Sequence, residues 1–146
     1  MKILILAIGK CKKGSPEYAL IEEYRKRLAW NLIIKEKDND TGQKESEFLL
    51  ENIPEHAKVV VLDERGENIS SLAFASKIGN WQNEGVSQIC FLIGGADGHT
   101  EAVRQRADLL LSFGKLTMPH MLIRAVLTEQ IYRAKTILDG HPYHRE

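Results

Sequence analysis

Apolar and polar positions along the chain fall into blocks whose period switches between that of a strand and that of a helix. "KILILAI" (2–8) is an unbroken apolar run after its lysine, and "NLIIKE" (31–36), "KVVVLD" (58–63), "VSQICFLI" (86–93) and "LLLSF" (109–113) are similar in length or richer in β-branched residues. Short apolar runs of this kind, bounded by turn residues, predict buried strands. Between them the spacing becomes three to four. Ser15 and Pro16, a capping hydroxyl before proline at the first helical position, predict a helix through Tyr18, Ile21, Tyr24 and Leu28 to Trp30. "ESEFLLENI" (45–53) predicts a second helix that stops before Pro54, because the residue preceding proline avoids helical angles. A third runs from Ser70 through Leu72, Ala75, Ile78 and Trp81 to a stop near Gly85, and a short fourth runs from Val103 to Ala107. The strongest is "PHMLIRAVLTEQIYRAKTILDG" (119–140), with Pro119 near its first turn and Gly140 as a C-terminal cap. "KDNDTGQ" (37–43) and "ERGEN" (64–68) read as loops. Regular alternation of strand and helix predicts an α/β fold with a mostly parallel sheet flanked by helices. No repeat, linker or low-complexity tract interrupts it, so residues 1–146 are expected to form a single domain.

Composition adds less than the pattern does. Twenty basic and twenty acidic residues cancel, which removes a strongly basic nucleic-acid binder and an acidic tail, so charge has to be read locally. Cys11 and Cys90 are far apart, with neither a CxxC nor a Cys/His spacing. That pattern argues against a disulfide scaffold or a zinc site and fits a reducing cytoplasm. The opening apolar run, Ile3 to Ile8, is followed by Lys10, Lys12 and Lys13 instead of a small-residue cleavage site, so it is read as a strand and not as a signal peptide. No window approaches the eighteen or so apolar residues a membrane helix needs, and a protein neither secreted nor membrane-spanning is expected.

Ligands of parallel α/β sheets usually sit off the carboxyl ends of the strands. Three strand-end loops are conspicuous there: "LDERG" from Leu62, "IGGADG" from Ile93 and "FGKLTMPH" from Phe113. Paired glycines after a strand permit positive φ or close approach of a ligand. The spacing matches neither the GxGxxG fingerprint nor a P-loop, so a plain strand-to-helix turn is an equal reading. On the last helix Glu129 and Arg133 share a face, and a solvated ion pair is the simplest account of them. Leu122, Val126, Leu127, Ile131, Ala134 and Leu138 cover more than one stripe of that helix, which then either lies deep in the core or meets a second subunit. The chain finishes on "GHPYHRE" (140–146). His120, His141 and His144 lack a carboxylate or thiolate at ligating spacing, so no metal is expected. Tyr143, His144 and Arg145 suit a unit that grips an anion and handles a proton. Lys10, Lys12 and Lys13, then Arg25, Lys26 and Arg27, then Arg104 and Arg106, are candidate phosphate contacts, with solvated surface charge as the alternative for each.

"LIGGADG" (92–98), "LTMPHMLIRAVLTEQIYRA" (116–134) and "HPYHRE" (141–146), in that order, resemble the ribosomal RNA large-subunit methyltransferase H family of the SPOUT class, and the likeness runs from "ILAIGK" to Glu146. The resemblance implies a homodimer with a trefoil knot near the C-terminus. It also implies methylation of N3 of a pseudouridine in 23S rRNA within the ribosome, with S-adenosylmethionine as methyl donor. Carried over motif by motif, the donor would be bound by Leu62, Gly94, Gly95, Gly114, Lys115, Leu116, Thr117, Met118 and Pro119. His144 would accept or relay a proton, Arg145 and Arg133 would meet developing negative charge, Tyr143 would offer a stacking or hydrogen-bonding surface, and Glu129 would orient Arg133. Met121 stands where the family often has proline, and "GGADG" where it often has "GGPEG"; neither exchange removes a polar group. Two rival classes are a dinucleotide-dependent oxidoreductase, which lacks its fingerprint here, and a non-catalytic RNA-binding or ribosome-assembly factor.

Overall fold

The computed structural model describes residues 1–145; Glu146, the last residue of the terminal motif, lies outside the described residues. Strand and helix alternate throughout: β1 (Lys2–Ile8), α1 (Pro16–Arg27), β2 (Asn31–Lys37), α2 (Gly42–Glu51), β3 (Lys58–Glu67), α3 (Ser71–Asn83), β4 (Gln88–Ile93), α4 (Glu101–Arg106), β5 (Leu109–Leu111) and α5 (His120–Asp139). The five strands form one sheet in the order β2-β1-β4-β3-β5, parallel at every pairing.

Helices cover both faces of the sheet, which is why its strands read as continuous apolar runs. In β1, Ile3, Ile5 and Ala7 point to one face and Leu4, Leu6 and Ile8 to the other. The first face packs against Phe74, Ala75, Ile78 and Trp81 of α3 and against Leu127, Ile131 and Ala134 of α5, with Leu28 and Trp30 after α1. The second packs against Leu49 of α2 and Val103 of α4. Cys90 is buried in this second layer, and burial pushes its thiol up to about 12, so it behaves as a small core hydrophobe. No helix among the described residues is long and apolar enough to cross a membrane.

Local chemistry accounts for the helix starts. Ser15, Thr41, Ser70 and Thr100 each accept a backbone N–H from the first turn of the helix they precede, and Gly140 closes α5 in the left-handed region at φ 71°. Several boundaries differ from the pattern-based reading. α1 ends at Arg27, because Leu28 turns extended to let Leu28 and Trp30 enter the core before β2. α2 starts earlier than Glu45, at Gly42 behind the Thr41 cap. β5 stops at Leu111, where Ser112 leaves the strand: its hydroxyl donates to the Gly114 carbonyl and accepts the Gly114 N–H, both at 3.1 Å.

β3 departs most. It continues past Asp63, breaks register after Leu62 and pairs again at Glu67 with Leu111. Segment 64–67, expected as loop, thus lies on β5. Gly66 makes this possible, since a Cβ there would stand 2.6 Å from the backbone of Leu110 and Leu111.

Candidate functional site

A cleft of about 340 Å³ opens at the carboxyl ends of β3, β4 and β5, within the size range of small-molecule sites. All three strand-end loops line it: Leu62 to Arg65, Ile93 to Gly98, and Phe113, Gly114, Leu116, Thr117 and Met118, with His120 and Ile123 from the start of α5. Seven of the nine donor-site residues inferred from the resemblance are therefore brought together. The remaining two are not lining residues. Lys115 is an exposed cation on the same loop, and Pro119 occupies the N-cap position of α5. Leu116 stands at the lip with 88% of its surface exposed.

The glycines fall into two kinds. Gly98 (φ 76°) and Gly114 (φ 121°) adopt angles that other residues rarely take, and the space where a Cβ would stand is open. Gly94 and Gly95 are closed by protein. A Cβ on Gly94 would meet the His99 ring at 3.0 to 3.3 Å, and one on Gly95 would meet the Glu45 carboxylate and Ile8 at 3.0 and 3.1 Å. Glycine at 94 and 95 is thus favoured by side chains packed against the loop, the His99 ring being itself part of the cleft wall, where the sequence suggested approach of a ligand.

Sequence reasoning missed that supporting layer. His99 is 7% exposed; burial lowers its pKa from the usual 6.5, against the upward pull of Asp63 and of the Leu62 and Leu92 backbone. Burial alone would raise the Asp63 carboxyl, but the Arg65 N–H and the Arg104 guanidinium, each donating at 2.8 Å, hold it below the ordinary carboxylate range. Arg124 of α5 is wholly buried beneath the turn after β1. It donates to Glu36 of β2 and to the carbonyls of Ile8 (3.3 Å) and Gly9 (3.0 Å), while Glu36 also accepts the Cys11 N–H at 2.8 Å. It clips the start of α5 to the ends of β1 and β2. The clue in the sequence was a lone arginine amid apolar positions of the last helix, and position alone does not tell such a residue from a surface one.

The terminal residues form a second cluster. Gly140 turns the chain back along α5, so that the Tyr143 hydroxyl donates to Glu129 Oε1 at 3.1 Å, fourteen residues earlier. Arg133 donates to the same oxygen through Nε (2.8 Å), holds Nη2 in ion-pair contact with it (2.7 Å), lies over the Tyr143 ring at 4.9 Å, and meets His144 Nδ1 with Nη1 at 3.1 Å. Arginine only donates, so His144 Nδ1 accepts and its neutral ring carries the proton on Nε2. Tyr132 packs edge-on against Tyr143, and Tyr24 of α1 against Tyr132. Burial, then Tyr24 and Glu129, raise the Tyr143 pKa. Glu129 and Arg133 are therefore more than a solvated pair: they seat the tail. Arg145 continues outward, exposed.

Cleft and cluster do not meet within one chain. None of Glu129, Arg133, Tyr143, His144 and Arg145 lines the cleft, and Glu129 lies nine residues along α5 from His120, about 14 Å at helical rise. A second cleft, of about 260 Å³, lies beside the first across Leu111, Ser112, Phe113 and Met118, with Ser71 and Gln130 in its wall.

Most of the candidate phosphate contacts are already neutralised. Arg25 pairs with Glu22, Lys26 and Arg27 with Glu23, Lys10 with Asp38, Arg104 with Asp63, and Arg106 with Asp108. Lys12 and Lys13 are exposed and have no ion pair among the described residues. His120, His141 and His144 are held apart in the cleft, on the Tyr143 N–H and on Arg133, and among the described residues no three potential ligands gather as a metal site.

The family model described as "predicted SPOUT methyltransferase" matches residues 1–144. Over 99% of both chains, the sequence is 51% identical to ribosomal RNA large subunit methyltransferase H of Paramagnetospirillum magneticum. It is 50% identical to the protein of the same name from Zymomonas mobilis, over 100% of this chain and 99% of that one. To the protein of that name from Bartonella henselae it is 42% identical, over 99% of both.

Proposed function

We propose, given that the chain belongs to the SPOUT methyltransferase family, that it methylates large-subunit ribosomal RNA in the cytoplasm, using S-adenosylmethionine to modify N3 of a pseudouridine in 23S rRNA. The observation that carries this reading is the cleft built by the three loops after β3, β4 and β5, the same loops that the family motifs single out. The family's trefoil knot and homodimer belong to the same proposal.

The cleft's chemistry fits a cationic, phosphate-free nucleoside. Asp63, Glu64 and Asp97 line it beside Arg65 and Arg104, which leaves a small acidic excess, and the backbone at Gly98 and Gly114 is open on the side where a Cβ would stand. Leu62, Gly114, Leu116, Thr117 and Met118 would hold the adenosine part against backbone and apolar side chains. When bound, S-adenosylmethionine supplies a methyl group already activated by its sulfonium.

The remaining work is alignment and proton handling at the acceptor. N3 of the base must lose a proton as the new N–C bond forms, and negative charge grows on the flanking carbonyl oxygens. Arg133 and Arg145 are assigned to those oxygens. His144 Nε2 is buried while the tail is seated, so His144 acts through Nδ1. It can take the N3 proton on Nδ1 only once Arg133 lets go, so Glu129, which keeps Arg133 in place, governs the exchange.

The test is methyl transfer from labelled S-adenosylmethionine to ribosomes lacking the modification, followed by mass mapping of the large-subunit RNA. Label on N3 of one pseudouridine is expected. Label on another base or atom overturns the acceptor. No label, with donor binding seen by calorimetry, keeps the donor and overturns the acceptor; no label and no donor binding overturns the enzyme in favour of an assembly factor.

A further inference from the structure

We infer that Gln130 is a positioning residue: held by Ser71, it keeps the Glu129 carboxylate turned so that one oxygen serves both Arg133 and the tail residue Tyr143. For its effect on turnover the inference rests on the methyltransferase reading; for the order of the tail it does not.

Arginine and carboxylate prefer to meet as a fork, two N–H groups on two oxygens. Here they do not, for Arg133 Nε donates to Glu129 Oε1 and Nη2 also lies closest to that oxygen, where the Tyr143 hydroxyl joins them. Glu129 Oε2 is taken by Gln130 Nε2 at 3.0 Å. Across the helix Gln130 Oε1 receives the Ser71 hydroxyl at 2.8 Å, from the first turn of α3. The direction of this chain is fixed by its members. A carboxylate only accepts, so the amide nitrogen must face Glu129, which leaves the amide oxygen for the hydroxyl. Ser71 thereby anchors the far end of the amide, and Gln130 holds the carboxylate back from rotating into the fork. Without that restraint Glu129 turns toward a fork on Arg133, which carries Oε1 away from the Tyr143 hydroxyl.

The experiment compares full-length Gln130→Leu, Ser71→Ala and the double variant, each checked for an intact thermal transition. Three quantities are read: NMR signals of ring-labelled Tyr143 and His144, donor affinity by calorimetry, and kcat and KM on unmodified ribosomes. Gln130→Leu is expected to move the Tyr143 and His144 signals and lower kcat about tenfold. Donor affinity should stay the same, since Gln130 does not line the donor cleft. Ser71→Ala should repeat the effect more weakly, and the double variant should be no worse than Gln130→Leu. Unmoved tail signals in Gln130→Leu, or strictly additive losses in the double variant, overturn the inference. Glu129→Gln separates the two readings: if its kcat is unchanged, the catalytic role of the cluster fails, while the tail signals still decide what Gln130 does.

Discussion

Gly94 looked like a ligand-facing residue, and the side chain that crowds a Cβ there is His99, five positions on and itself in the cleft wall. "GGADG" signals a turn with open backbone, but nothing in the spelling tells which side of the turn is filled. The same limit hid Asp63 with Arg104 and Arg124 with Glu36, whose partners lie 41 and 88 residues apart. His99 carries a pH consequence. The unfolded chain takes up a proton at an imidazole near pH 6.5 and the native chain only at lower pH, so through that window the unfolded state binds more protons. Stability contributed by neutral His99 is therefore complete above pH 6.5 and lost as pH falls toward its depressed native value, with a slope of at most about 1.4 kcal/mol per pH unit. Asp63, also depressed, acts in the same direction, its contribution being lost as pH falls below its ordinary value of 3.8. Urea midpoints at pH 7.5, 6.5 and 5.5 should fall in the wild type and stay more nearly level in His99→Leu. Parallel slopes would mean that the ring is not buried neutral.

Among the elements, the strands and the long helix were legible because burial on two faces, or along a broad stripe, writes itself into apolar period. Breaks in that period are harder to interpret. "ERGEN" is polar and turn-like, yet its first four residues return to the sheet, because Gly66 lets two backbones touch and no apolar side chain is needed for the contact. Charge runs misled in the opposite direction. Arg25, Lys26 and Arg27 look like a phosphate grip, but α1 supplies its own Glu22 and Glu23 one turn earlier. Lys12 and Lys13, in the turn after β1, have no such partners among the described residues. Neutralising Lys12 and Lys13 together should weaken ribosome binding and reduce the magnitude of its salt slope by about 1 per lysine, whereas glutamine at Arg25 and Lys26 should change both less. Titration of unmodified ribosomes at several salt concentrations checks this, and equal losses from the two pairs would return α1 to the interface.

At the scale of the molecule, parts that the sequence placed in one site are held in two. The cleft proposed for the donor lies at the start of α5, and the tail cluster is seated further along the same helix, with neither lining the other. A rigid helix cannot bring them together within one chain, but a second copy crossing near α5 can. The helix is suited to that contact. Leu127, Ile131 and Ala134 fill the core, while Leu122 and Leu138 remain over a third exposed and Leu116 projects from the cleft's lip, so these side chains are open to the proposed homodimer contact. If one subunit's tail serves its partner's cleft, two different lesions should complement. A subunit ending at Asp139 keeps a sound cleft, and a subunit with Gly114→Val keeps a sound tail while losing donor binding. Each homodimer should be inactive. Heterodimers, co-expressed with different tags and purified through both, contain one sound cleft opposite one sound tail and should recover about half the wild-type activity. A tail that acts on its own chain's cleft predicts none, because each subunit then carries a lesion in its own site. Recovered methyl transfer, measured against the same heterodimer with both lesions on one subunit, separates the two arrangements: in the crossed geometry that control retains neither a sound cleft facing a sound tail nor activity, and in the uncrossed one it retains a complete subunit.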